Sequence, residues 1–148
     1  MREILFRGKR SSDGKWVEGF YYKHESVKVC FASDDPHVKH MIAYDGSCDW
    51  GFEPPMQAVE VLPDTVGQYT GLKDRNGVRI FEGDIIDHHV QGDILVNRGV
   101  IQWDARCARW SHRLNTMNPE LAFFNPGAWE VIGNIHDNPE MAEVKKDD

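Results

Sequence analysis

The chain has 148 residues and a net charge of −7, with 24 acidic side chains against 17 Lys and Arg. That length suits one domain whose core needs no disulfide or metal staple. The acidic balance argues against a broad electrostatic grip on nucleic acid, which depends on cations meeting phosphates, and no run approaches the ~20 consecutive apolar residues of a membrane span.

In chain order, Ile4 and Phe6 alternate with Glu3, Leu5 and Arg7 and predict a first strand, and the charged residues among them point to the cytoplasm. Ser11-Ser12-Asp13-Gly14 predicts a turn leading into a second strand over Lys15 to Tyr22. Lys9, Arg10 and Lys15 are the nearest approach to a basic patch and read as a solvated face beside that turn. Val27 to Phe31 and His40 to Tyr44 have strand composition, separated by Ser33-Asp34-Asp35-Pro36. Apart from the second of these strands, Ser33 to Pro55 reads as a long irregular connection, a type that in compact domains carries function or stays mobile. Gln57 to Leu62 predicts a further strand, stopped by Pro63.

Val66 to Asp87 is where propensity, turn chemistry and apolar pattern agree best. Asp74-Arg75-Asn76-Gly77 places Asp first and Gly fourth, the pattern of a type I turn followed by a left-handed residue and a bulge. It joins Tyr69 to Leu72 with Val78 to Phe81, where Val78 and Ile80 share a face and Arg79 takes the other. Glu82-Gly83-Asp84 supplies a second turn, and Ile85-Ile86 restarts a strand running towards Val90.

The run Thr65-Val66-Gly67-Gln68-Tyr69-Thr70-Gly71-Leu72-Lys73-Asp74, the Asn76-Gly77 turn and Phe81-Glu82-Gly83-Asp84-Ile85-Ile86 closely resemble the YopX family of phage and prophage proteins. Met1 to Gly8 looks like the opening of that family, and Glu130-Val131-Ile132-Gly133-Asn134-Ile135 with Asn138-Pro139-Glu140 looks like its ending. Only Tyr22 to Met56 and Ser111 to Gly127 are without a match. The resemblance implies a small β-rich phage-type protein containing an SH3-like barrel, and it brings no catalytic residue or cofactor to carry over.

Beyond the central stretch, Ile94 to Val96 and Gly99 to Trp103 have strand composition, with a bulge expected at Asn97-Arg98 and a reversal at Asp104-Ala105-Arg106. Ile101 and Trp103 would then share a face with Ala108 and Trp110 as a cross-strand aromatic cluster. Asn118-Pro119 and Asn138-Pro139 both read as helix starts, an N-cap Asn before a Pro at the first helical position, with the strand Ala128 to Ile135 between them.

His88-His89 beside Asp84 and Asp87 is the most enzyme-like cluster, because imidazole and carboxylate can hold a metal or share acid and base work. Adjacent strand residues point to opposite faces, however, so a surface or cross-strand role is favoured. His112 and His136 lie too far along the chain for sequence to join them to that cluster. Cys30, Cys48 and Cys107 lack short paired spacing and read as reduced thiols. No phosphate loop, nucleophile elbow or paired-histidine zinc helix occurs.

The expected fold is mainly β with minor α, a small SH3-like barrel with additional strands and short helical turns. It forms one domain over 1–148, with an N-terminal β part (1–62) packed on a barrel part (63–148). The expected role is that of a non-enzymatic, cytoplasmic phage or prophage accessory protein without cofactor, catalytic residue or metal, binding a host or phage protein or itself. The five tryptophans motivate this, since aromatic side chains are enriched at interfaces; Tyr69, Trp103 and Trp110 are the candidate interaction residues. The alternatives are a nucleic-acid-binding small β-barrel and a hydrolase or metalloenzyme using His and Asp.

Overall fold

The computed structural model describes residues 3–26, 37–46, 55–90, 94–114 and 126–142. These are mainly strands, with two single-turn 3-10 segments and one short helix. The chain divides into two compact units, Glu3–Gln68 and Tyr69–Asp148, each with its own apolar cluster.

In the first unit, β1 (Phe6–Lys9), β2 (Trp16–Ser26), β3 (His37–Asp45) and β4 (Met56–Glu60) are antiparallel in the order β4-β3-β2-β1. Asp13-Gly14 makes the first reversal as its sequence predicts. Gly14 sits at φ 68° and donates to the Arg10 carbonyl at 2.9 Å, while Asp13 Oδ1 accepts from the Lys15 N–H at 3.1 Å. One face of the sheet buries Val17, Ile42 and Val61, with Phe6, Tyr21, Tyr44 and Val59 packed around them. Gly19 lets β2 and β3 approach closely, because a β-carbon there would land on the Ala43 carbonyl. Past β4 the chain turns back to the end of β1. Arg10 bridges Val61, Leu62 N–H donates to the Lys9 carbonyl at 2.8 Å, and Ser11 N–H donates to the Glu60 carbonyl at 3.0 Å. A 3-10 turn, Pro63–Thr65, follows, and its Thr65 hydroxyl oxygen accepts from Lys9 N–H at 2.9 Å.

The strand β5 (Gly67–Lys73) crosses the unit boundary: Gly67 and Gln68 pair with β1, and the later part pairs with β6 (Arg79–Phe81). The turn between β5 and β6 has the expected form. Gly77 N–H donates to the Asp74 carbonyl at 3.0 Å and Gly77 takes φ 81°. An irregularity in β5 accompanies Gly71 at φ 88°, where the Thr70 hydroxyl bridges to the Ile80 carbonyl at 2.9 Å.

The rest of the second unit is a four-stranded antiparallel sheet, ordered β10-β7-β8-β9, from β7 (Asp84–Val90), β8 (Ile94–Asp104), β9 (Arg109–Leu114) and β10 (Trp129–Asn134). Its core gathers Ile80, Ile86, Ile101, Trp110 and Trp129. The 3-10 segment Pro126–Ala128 precedes β10, and α1 (Pro139–Ala142) begins at the second predicted helix start. β8 is continuous, and the bulge falls at Val96, not Asn97-Arg98, since His88 pairs with Asn97 and His89 with Leu95. The strand expected at Val27 to Phe31 and the helix start at Asn118 lie outside the described residues.

Among the described residues neither sheet closes into a barrel. In the second unit the edge of β10 is taken by the β5–β6 turn: Arg75 N–H donates to the Trp129 carbonyl at 2.9 Å and Val131 N–H to Asp74 Oδ2 at 3.0 Å. Those backbone groups therefore do not serve a ladder with β9.

Candidate functional site

The carboxylates that flank His88 and His89 in sequence, Asp84 and Asp87, are occupied by structural bonds. Asp84 is buried and its Oδ2 accepts from the Phe81 N–H at 2.7 Å, which fixes the turn at Gly83. Asp87 is buried and receives a bidentate pair from Arg98, Nε to Oδ1 at 2.7 Å and a terminal nitrogen to Oδ2 at 2.9 Å. This bond, directly across the β7–β8 ladder, raises the Arg98 guanidinium above its ordinary value, although partial burial opposes that shift.

His88 faces Trp129 in the β7–β10 ladder, while His89 places Nε2 3.3 Å from Glu130 Oε2. The adjacent histidines are thus divided between partners, as alternation in a strand requires. His136 follows β10, its N–H donating to Asn134 Oδ1 at 2.9 Å. His112 stands opposite Ile101 in the β8–β9 register, and its side chain lies outside what is described. Among the described residues, no three His, Cys, Asp or Glu side chains come together as a metal-binding group. Cys107 is exposed in the β8–β9 turn, and Cys30 and Cys48 lie outside the described residues.

Lys9 and Arg10 of the N-terminal patch are engaged, as is the neighbouring Arg7. The Arg7 guanidinium lies 4.7 Å and the Lys9 ammonium 5.4 Å from the Trp16 ring centre, and Arg10 meets Asp13 at 3.4 Å. Lys15 remains at the exposed turn.

The aromatic residues divide by exposure. Tyr69 is buried, stacked at a tilt on Phe81 at 5.5 Å with Arg79 5.8 Å from its ring centre. Trp110 is buried in the second core, and Trp129 is almost fully so. Trp103 pairs with Trp110 across β8 and β9, edge to face at 5.0 Å, and stays 45% exposed. The expected cluster therefore forms around Ile101, Trp103 and Trp110. Ala108 is not in a strand but in the turn, at φ 49°. In that turn the Asp104 carboxylate lies low in its range. Slight desolvation pushes it up, but hydrogen bonds from Arg106 and Cys107 and the charge of Arg109 outweigh that effect.

Among the described residues, the two most exposed large apolar side chains lie in the first unit, on the sheet face opposite its core. Phe20 is 63% exposed, Tyr22 41% and Met56 75%. Register aligns Phe20 with Ala43 and Ala58 in one row, Tyr22 with Met41 and Glu60 in the next, and Met56 with Asp45. Sequence reasoning missed this face. Phe20 and Tyr22 were legible as strand residues two apart, but the alanines that leave their rings standing clear come from β3 and β4.

A family model described as YopX protein matches residues 5–143. No curated protein matches the chain. Among solved structures, the crystal structure of protein EF1440 from Enterococcus faecalis is similar with a TM-score of 0.51 and 22% identity, covering 97% of this chain and 100% of that one. At that identity the likeness is one of fold.

Proposed function

This chain belongs to the YopX family, and from that premise we propose that it is a non-enzymatic phage or prophage accessory protein that works in the cytoplasm by binding another protein or a further copy of itself. The observation that carries the reading is the exposure of Phe20, Tyr22 and Met56 on one face of an ordered sheet. Large apolar side chains exposed on one sheet face cost solubility, and their ordinary explanation is a contact surface. Trp103 adds a second exposed aromatic, supported from beneath by Trp110. Of Tyr69, Trp103 and Trp110, it alone has substantial surface to offer, while the other two brace their strands.

Asp84 and Asp87 are engaged by Phe81 N–H and by Arg98, and Glu130 stands beside His89 alone, which weighs against a shared acid and base site at His88 and His89. An SH3-like arrangement of the second unit also belongs to this reading. It is supported by the return of β10 to the free side of β7 after a meander β7-β8-β9, a connection that small barrels share. No helix among the described residues is long and apolar enough to cross a membrane.

A second reading, binding of single-stranded nucleic acid, draws on Trp103 at a hairpin with Arg106 in its turn and Arg109 at the start of β9. Retention of single strands that resists rising salt would promote it over the first.

The test of the first reading is affinity capture from a bacterial host carrying the phage or prophage, with proteins and nucleic acid both identified, for the native chain and for Phe20→Ser. A protein partner recovered with the native chain and lost with the variant supports the proposal. Equal recovery by both removes the Phe20 face as its basis.

A further inference from the structure

We propose that Asn76 is a site of self-modification, at which the Gly77 backbone nitrogen closes on the Asn76 amide and converts it to aspartate or the β-linked isomer, and that this product loosens the hold on the β10 edge.

Sequence and turn together select this residue. Of the asparagines, Asn118, Asn125 and Asn138 precede Pro, which has no N–H, and Asn97, Asn115 and Asn134 precede Arg, Thr and Ile, whose side chains crowd the attack; Asn76 alone precedes Gly. Asn76 and Gly77 are both exposed in the β5–β6 turn, and a β-carbon at Gly77 would meet nothing within 4 Å, so a cyclic imide has room to form. The Asn76 amide is lightly held. Its nitrogen donates to Glu130 Oε1 at 3.5 Å, an exposed contact at the far end of the hydrogen-bond range.

The step balances with water as its co-reactant. The Gly77 nitrogen attacks Cγ of Asn76, the N–Cγ bond forms, the Cγ–Nδ2 bond breaks, and ammonia leaves carrying the proton that the Gly77 nitrogen gives up. Water then adds to one of the two imide carbonyls and opens the ring, leaving a carboxylate at residue 76 on a normal or a β-linked backbone. The turn itself restrains the reaction. Gly77 N–H donates to the Asp74 carbonyl at 3.0 Å, and Asp74 Oδ1 holds Asn76 N–H and Val78 N–H at 2.8 Å each, so the nitrogen becomes available when the turn opens.

The surroundings of residue 76 give the modification its effect. A carboxylate there sets a like charge beside Glu130 in place of an amide donor, while the other Glu130 oxygen faces His89 Nε2 at 3.3 Å. The β-linked product also lengthens the backbone of a turn whose bonds depend on its length. That turn holds β10 through Arg75 N–H on the Trp129 carbonyl and Val131 N–H on Asp74 Oδ2. Modified chains therefore offer backbone groups of β10 to another strand.

The experiment incubates the full folded chain at mildly alkaline pH and follows each asparagine by peptide mapping, with the urea-unfolded chain as reference. Asn76 should convert ahead of every other asparagine, to two products of equal mass, and about tenfold faster in Asp74→Ala, assayed below its melting temperature, because its turn opens more readily. Thermal melting reads the consequence: Asn76→Asp should melt below both the native chain and Asn76→Ser, which loses the amide without gaining charge, and the difference should shrink when Glu130→Gln removes the opposing charge. An intact Asn76 in the folded chain under conditions that convert the unfolded one overturns the site, and an equal rate in Asp74→Ala overturns control by the turn. Melting of both Asn76→Asp and the purified β-linked product at the native temperature overturns the effect on β10.

Discussion

Asp74 and Val131, in the β5–β6 turn and in β10, are joined by a hydrogen bond of 3.0 Å from the Val131 N–H to Asp74 Oδ2. The other oxygen of the same carboxylate accepts from Asn76 N–H and Val78 N–H, each at 2.8 Å. One buried side chain thus closes its own turn and secures the edge of a distant strand.

Replacing Asp74 by Ala strands these donors, whose bonds are all partly buried. The expected loss is about 3 kcal/mol, from a charge-assisted bond worth ~1.5–3 kcal/mol and the desolvation of the donors left behind. Urea unfolding measures it, and a loss below ~1 kcal/mol would show that the turn and the β10 edge are held by other contacts.

Gly77 has φ 81°, and a β-carbon added there would meet nothing within 4 Å, so strain alone sets the cost of substitution. Gly77→Val should lower stability by more than ~1 kcal/mol, because a β-branched residue is badly placed in the left-handed region. An unchanged melting curve would contradict the turn's role in holding the hairpin.

The Asp87–Arg98 pair is asymmetric, with the Asp87 side chain 9% exposed and that of Arg98 43%. Arg98→Ala leaves a buried carboxylate without its bidentate partner, whereas Asp87→Ala leaves a cation that can turn to water. The first should cost about 1–3 kcal/mol and the second less, since solvent already screens the arginine side. Equal or reversed losses in chemical denaturation would disprove the ordering.

Burial raises the Tyr21 phenol above its ordinary value of 10.0, and its hydroxyl shares a 2.6 Å hydrogen bond with His40 Nδ1. The folded chain therefore holds this proton to higher pH than the unfolded chain does. The associated stability is fully present below about pH 10 and is lost as pH rises through the folded value. Melts across the alkaline range should fall more steeply for the native chain than for Tyr21→Phe. Parallel curves would place the effect elsewhere.

Protein purified without added metal should contain no stoichiometric transition metal, because the Cys and His spacing is wrong for a closed site. Elemental analysis finding about one zinc per chain would reverse that expectation and restore the metalloenzyme alternative.

What the sequence revealed was local. Asp74 to Gly77 and Glu82 to Asp84 declare their turns because Asp, Asn and Gly have few other reasons to occur in that order, and the structure places Gly77 and Gly83 at φ 81° and 83°. The abundance of tryptophan was equally visible, but not its division into buried Trp110 and Trp129 and exposed Trp103, since indole composition is the same in a core and at a surface. The bulge was misplaced by one or two residues because register depends on β7, which no feature of β8 encodes. The Phe20 face was hidden for a related reason: three strands contribute to it, and only their alignment puts Ala43 and Ala58 beside the ring.

The bonds between the end of β4 and the end of β1 also order events in time. Leu62 N–H to the Lys9 carbonyl, Ser11 N–H to the Glu60 carbonyl and the Arg10–Val61 bridge all join the opening of the chain to a segment made much later. During synthesis, the β1–β2 hairpin has its residues early, yet Val61 must emerge before the core of Val17 and Ile42 is complete. Until then Val17 and Ile42 lack that partner, so completion of the first core waits on a contact distant in sequence, the kind that slows folding.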